Sequence, residues 1–293
     1  MKPSIELIRL LAVFMITFTH TRHQLEEGWL YFLVEILPTY GTAILSVISG
    51  YLYFTVSRKK KYLFKRKIKS LAIPYLFANA SVVLLVLFSY YFLGHNPLNR
   101  LGIGPELFTE GILALNMEPV NPPTYFIRDI FLVFAVIALL TQREWKALPL
   151  VLVFLIFGSL FLRLDVVGLF IIGALYGKFK EKLSREVFLG LALAAVVVVA
   201  IWFAQYLKWP IALFLFILVV DLKFKFFNTG RYAYLLHLYH SPIIVITFPF
   251  VGAHIDNPAL SILSQIAIAS VIVYLMVLLS RRFPTLTILS GGR

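Results

Sequence analysis

"RLLAVFMITFTH", Arg9 to His20, is the stretch on which the reading of this chain turns. Nothing between its two end residues carries a charge, and its length and greasiness suit a helix that crosses a bilayer. Yet it opens on an arginine and closes on a histidine. Ionisable groups within such a run are costly to bury and tend to face a polar path. On a helix, eleven residues make about three full turns, so Arg9 and His20 share one face roughly 16 Å apart. Glu6 lies three residues before Arg9 on the same side, at the spacing of a local ion pair. An apolar run so near the amino terminus also resembles a secretory signal. It lacks a small-residue cleavage site and carries Glu6 and Arg9, so it counts as the first membrane span.

The rest of the chain repeats the pattern. Of its 293 residues 60% are hydrophobic, too many for a soluble globule of this size. The expected fold is all-α, a polytopic membrane protein with about ten transmembrane helices in one bundle. The spans fall near residues 5–23, 29–54, 70–93, 123–141, 147–163, 165–178, 186–207, 209–222, 231–250 and 258–280. The second contains Pro38 and Gly41, where a kink is expected, and the sixth and eighth are short for a bilayer.

Loop charge sets the orientation. With both termini cytoplasmic, 21 of the 27 basic residues fall in cytoplasmic segments, eight of them between Arg58 and Lys69. That is the positive-inside pattern. The formal charge of +13 is therefore a topology signal, and no soluble basic face exists to bind nucleic acid. The absence of cysteine excludes thiolate metal sites and a cysteinyl intermediate. No repeat or soluble insert divides the chain, so residues 1–293 form a single domain. The longest outer segment, about 94–122, is rich in proline and glycine and reads as an ordered cap, with "PELFTEGILAL" (105–115) as a short interfacial helix.

Several stretches, in order and in register, resemble the membrane-bound acyltransferase-3 family. They are the acid, arginine and histidine Glu6, Arg9 and His20; "GTAILSVISGYLYF" (41–54); "FKRKIKSLAIPYLF" (64–77); "TYFIRDIFLVF" (124–134); and "YAYLLHLYHSPI" (232–243). The resemblance covers nearly the whole chain, as a stand-alone transmembrane acyltransferase domain. Three positions depart from the family pattern: Lys69 stands where a second arginine is usual, Tyr125 where tryptophan is, and Glu6 where aspartate is.

The resemblance implies an O-acyltransferase of the bacterial cytoplasmic membrane. Its donor is acetyl-CoA or another acyl-CoA, and its acceptor a hydroxyl of a cell-envelope glycan or lipid-linked sugar. Its partners are the donor, the acceptor and membrane lipid, in a monomer or homodimer. His20 is the candidate general base, because a neutral imidazole accepts a hydroxyl proton near neutral pH. Arg9, Glu6, Asp129 and Glu35 complete the candidate catalytic set, the two deeper acids by their matching depth in the membrane. Lys65, Arg66, Lys69 and Arg9 are the donor-binding candidates, since basic side chains hold phosphates by charge-assisted bonds. His23, Tyr125, Arg128, His240, Ser49 and Tyr51 are the acceptor-binding candidates, with Arg128 placed to stabilise an oxyanion. His237 and His240 share one face, but no third ligand has metal-site spacing, and no metal is expected. A transporter or flippase of a glycan or anionic lipid-linked substrate fits the same polar core, although the repeated halves common in transporters are missing.

Overall fold

The structure, a computed structural model, describes residues 2–98 and 100–292. Arg293, counted above among the cytoplasmic basic residues, lies outside the described residues. Among the described residues there is no strand, and each of the ten expected spans contains a helix. These are α1 (Pro3–Phe18), α2 (Gly28–Ser57), α3 (Leu63–Leu93), α4 (Pro122–Gln142), α5 (Trp145–Phe157), α6 (Leu164–Phe179), α7 (Arg185–Trp202), α8 (Ala204–Val220), α9 (Gly230–Phe250) and α10 (Pro258–Arg282). Six of them, α2, α3, α4, α7, α9 and α10, are long and apolar enough to cross a membrane; α1, α5, α6 and α8 are shorter. Helix α7 is apolar and almost wholly exposed, which is stable only against lipid.

Local sequence explains the irregularities. Helix α2 opens with one α-helical turn, Gly28–Tyr31, turns π-helical over Phe32–Ile36 shortly before Pro38, and closes with another π-turn, Tyr53–Ser57. A third, Ile68–Ala72, precedes Pro74 in α3. At the two turns that precede a proline, the missing proline N–H breaks the hydrogen-bond ladder, and the π-turn absorbs the mismatch. The interfacial helix expected over 105–115 is a single turn, Glu106–Thr109. Beyond it the Glu110 carboxylate accepts the amides of Asn116 and Met117 at 2.8 and 2.9 Å, and Ala114 adopts a positive φ of 54°. A side chain bonding the backbone in this way competes with helix.

Small residues set the packing. A Cβ on Gly50 would overlap the Phe170 carbonyl, and one on Gly173 the Val47 carbonyl. Helices α2 and α6 therefore touch backbone to backbone, the close approach that small residues permit in membranes. Two prolines inside helices are compensated from elsewhere. Pro242 in α9 cannot donate to the Leu238 carbonyl one turn before it, and the side-chain amide of Asn121, from the loop entering α4, donates to that oxygen instead at 2.7 Å. The Ser70 carbonyl, four residues before Pro74, accepts from the Tyr234 hydroxyl at 3.0 Å.

The amino terminus lies at the end of the bundle that carries the basic loops, here termed the basic face. Lys2 Nζ pairs there with Asp221 at 2.6 Å, just beyond α8. Partial burial opposes ionisation of Asp221, but the Lys2 hydrogen bond and charge outweigh it and hold the carboxyl below its usual range.

Candidate functional site

Glu6 and Arg9, one turn apart on α1, form an ion pair of 2.5 Å. The Glu6 carboxylate also accepts the Thr229 amide and hydroxyl, each at 3.1 Å, at the residue just before α9. The buried carboxylate is thus neutralised by Arg9 and caps the neighbouring helix. Arg9 Nε is buried with no hydrogen-bond partner, and its guanidinium borders a cavity of about 140 Å³. Helices α1, α2, α3, α4 and α9 converge on that cavity, which Ser49, Tyr53, Lys67, Phe126, Phe134 and His237 help to line. Lys67 Nζ sits 3.6 Å from the centre of the Phe134 ring, a cation–π contact at the basic mouth.

A second cavity, about 250 Å³, opens toward the other face of the bundle. His20 lines it from the end of α1, with Glu35, Glu118, Tyr125, Arg163, Asp165 and Lys208 around it. His23 Nδ1 accepts the Leu25 amide at 3.2 Å, which leaves its Nε2 to carry the proton, and Nε2 lies 3.1 Å from Glu35 Oε1. Arg163 Nε is 3.5 Å from Asp165 and its guanidinium 5.5 Å from the Tyr125 ring centre.

Between the two cavities stand histidines. The His20 and His240 ring centres are 5.2 Å apart, and those of His240 and His237 are 6.5 Å apart. Phe126 meets His237 edge to face at 5.6 Å. Arg9 and His20 therefore mark the two ends of one polar axis, with α9 supplying the middle.

The other sequence candidates are distributed as follows. Arg128 and Asp129 are buried and bonded to each other at 2.6 Å. Arg128 also donates to the Ser159 and Leu160 carbonyls, and Asp129 accepts the Leu162 and Arg163 amides at 3.1 and 2.9 Å. The pair clamps the loop between α5 and α6, and neither residue lines either of these two cavities. Lys65, Arg66 and Lys69 are exposed on the basic face, outside both cavities; Lys67 is the member of that run that faces inward. Tyr51 is buried beyond the first cavity and accepts a hydrogen bond from Lys180 at 3.0 Å. It lines a separate, open hollow of about 480 Å³ with Lys2, Arg58, Lys59 and Lys178. Among the described residues, no three His, Asp or Glu side chains gather as a metal site.

One family model, that of the acyltransferase-3 domain, matches residues 2–281. The chain belongs to the acyltransferase-3 family. It is a membrane acyltransferase, and the match takes in all ten helices except the last residue of α10. No curated protein and no solved structure matches it. In this acyltransferase the stretches that signalled the family converge on the polar axis: Glu6, Arg9 and His20 from α1, Ser49 from α2, Lys67 from α3, and His237 and His240 from α9. Lys67, Glu118 and Lys208 were not singled out as site residues from sequence. Their signal was charge alone, which a loop residue and a cavity residue carry equally.

Proposed function

We propose that this acyltransferase moves an acetyl group from cytosolic acetyl-CoA to a hydroxyl of an extracytoplasmic glycan or lipid-linked sugar. The observation that carries the reading is the pair of cavities, one at each face, separated by His20, His240 and His237. In this reading all ten helices cross the bacterial cytoplasmic membrane and both termini are cytosolic. The first cavity then receives the donor and the second the acceptor.

Each group has a task. Lys67 and the surrounding basic residues attract the donor's phosphates by charge-assisted hydrogen bonds. Arg9 is held on one side by Glu6, and its Nε hydrogen is left to bond the donor's acyl-bearing arm. The acyl carbon reaches the His20 end of the axis, where the acceptor hydroxyl waits among Glu35, Tyr125 and Arg163. His20 takes the hydroxyl proton as the oxygen attacks, the C–O bond forms, and the C–S bond breaks with its electron pair leaving on sulfur. Glu35 orients His23 at the rim, and Arg128 and Asp129 fix the loop that delivers Arg163. His240 backs His20 inside the bundle.

The deciding experiment follows label from radioactive acetyl-CoA into envelope glycans of cells or membranes carrying the protein. Transfer that depends on His20 supports the reading; equal transfer by His20→Ala refutes it. Cysteine labelling tests the orientation independently, since the native chain has no cysteine. A cysteine at position 61 should be shielded from an impermeant outside reagent and one at position 100 labelled.

A further inference from the structure

When the acyl group has passed to the acceptor, the reaction leaves one proton on His20 and a thiolate on coenzyme A. If the two substrates enter from opposite faces, these products part in opposite directions. The thiolate withdraws through the Lys67 mouth, while His20 borders the far cavity. Unless it jumps to the sulfur as the C–S bond breaks, the proton must then either leave at the far face or follow the thiolate back.

The structure offers a way back. His240 is fully buried, yet it belongs to neither cavity lining, and packing alone gives no reason for an imidazole there. Its Nδ1 lies 2.6 Å from the Leu236 carbonyl. A carbonyl oxygen only accepts, so Nδ1 carries the hydrogen and Nε2 bears the free lone pair. That Nε2 is buried with no hydrogen-bond partner. Its ring stands next to His20 on one side and His237 on the other, and His237 lines the donor cavity. An unsatisfied acceptor in such a place costs stability, whereas an imidazole can shuttle protons, and histidine is one of the side chains that form relays inside membrane proteins.

We propose that His20, His240 and His237 form a proton path joining the two cavities, which returns the acceptor's proton to the coenzyme A thiolate. The proposal rests on the acyl-transfer reading for its purpose, but the path itself is a property of the protein. His20 receives the hydroxyl proton and gives it to His240 Nε2. His240 passes the same proton on to His237, and the thiolate accepts it in the donor cavity, so a thiol departs and all three imidazoles end neutral. No net charge crosses the membrane per transfer. His240 acts through its neighbours and touches neither substrate.

The test uses the full chain in phospholipid vesicles loaded with a pH-sensitive dye, with a potassium gradient and valinomycin to drive proton entry. Acetyl-CoA binding is measured on the same preparations. Wild-type vesicles should take up protons faster than protein-free vesicles. His240→Phe should lose that excess and still bind acetyl-CoA; His240→Gln, which keeps a polar group but cannot relay, should lose it too. His254→Phe, at an exposed loop, should conduct like wild type. Should His240→Phe fail to bind or fold, His240→Gln carries the comparison. Wild-type flux no greater than that of empty vesicles would overturn the path, as would wild-type flux in variants that bind acetyl-CoA normally. Flux that depends on His240 in a protein that binds no acetyl-CoA supports the path and sinks the donor assignment, so the two failures are distinct.

Discussion

Asn121→Ala isolates one hydrogen bond that holds the histidine-bearing helix in place. The Leu238 carbonyl has no helical donor, because residue 242 is proline, and Asn121 is the group that satisfies it. The site is shielded from bulk solvent: Leu238 is fully buried and Asn121 nearly so. Leaving such an acceptor orphaned costs about 1–3 kcal/mol. The cost here should fall in the lower half of that range, because Asn121 Oδ1 is itself buried without a partner and its removal relieves a smaller penalty. A double-mutant cycle separates this from a general packing loss. Pro242→Ala restores a backbone N–H that reaches Leu238, so in that background Asn121→Ala should cost far less, with a coupling of about 1 kcal/mol. Unfolding in mixed micelles, followed by tryptophan fluorescence, gives all four stabilities. If Asn121→Ala costs the same with alanine at 242 as with proline, the two features are unconnected and the reasoning fails.

Three further outcomes are expected. His20→Ala and His20→Gln should lower acetyl transfer by about 10²–10⁴-fold with little change in acetyl-CoA binding, as for a lost general base; the rise of rate with pH as the imidazole deprotonates should vanish in both, and retained transfer would move the base elsewhere. Lys67→Ala should weaken acetyl-CoA binding more than Arg66→Ala, because only Lys67 faces the cavity; the reverse order in equilibrium binding would relocate the donor site to the exposed rim. Gly173→Ala should destabilise by about 1–3 kcal/mol, the usual cost of overpacking, because its methyl meets the Val47 backbone; an unchanged unfolding midpoint would mean that α2 and α6 part easily.

Much of this was legible in the sequence, and what was not has physical causes. The apolar runs and the Arg9–His20 spacing placed α1 and its polar face, since hydrophobic length and a 3.6-residue period are properties of the chain itself. Which residue of 65–69 points inward was not legible. Successive residues turn by about 100° on a helix, and the π-turn at 68–72 resets that phase. Depth matching brought Arg128 and Asp129 to the level of His20, but depth carries no direction, and the two face the 159–163 loop. The pairing of His23 with Glu35 depends on the bend after α1. The service of Asn121 to Leu238 joins residues 117 positions apart, which no local pattern encodes.

The contact between Glu6 and Thr229 ties the start of α9 to the start of α1. The two helices that carry the facing histidines thus share a fulcrum at the basic face, and His240 rides about 15 Å along the arm. On an arm of that length a tilt of only about 4° carries the ring sideways by about 1 Å, enough to cost on the order of 10²-fold where reacting groups must meet. Glu6 lies at the opposite end of α1 from His20, yet it governs the aim of the imidazole pair above it. A change of one methylene there acts as a change of angle, and its effect grows with distance from the pivot.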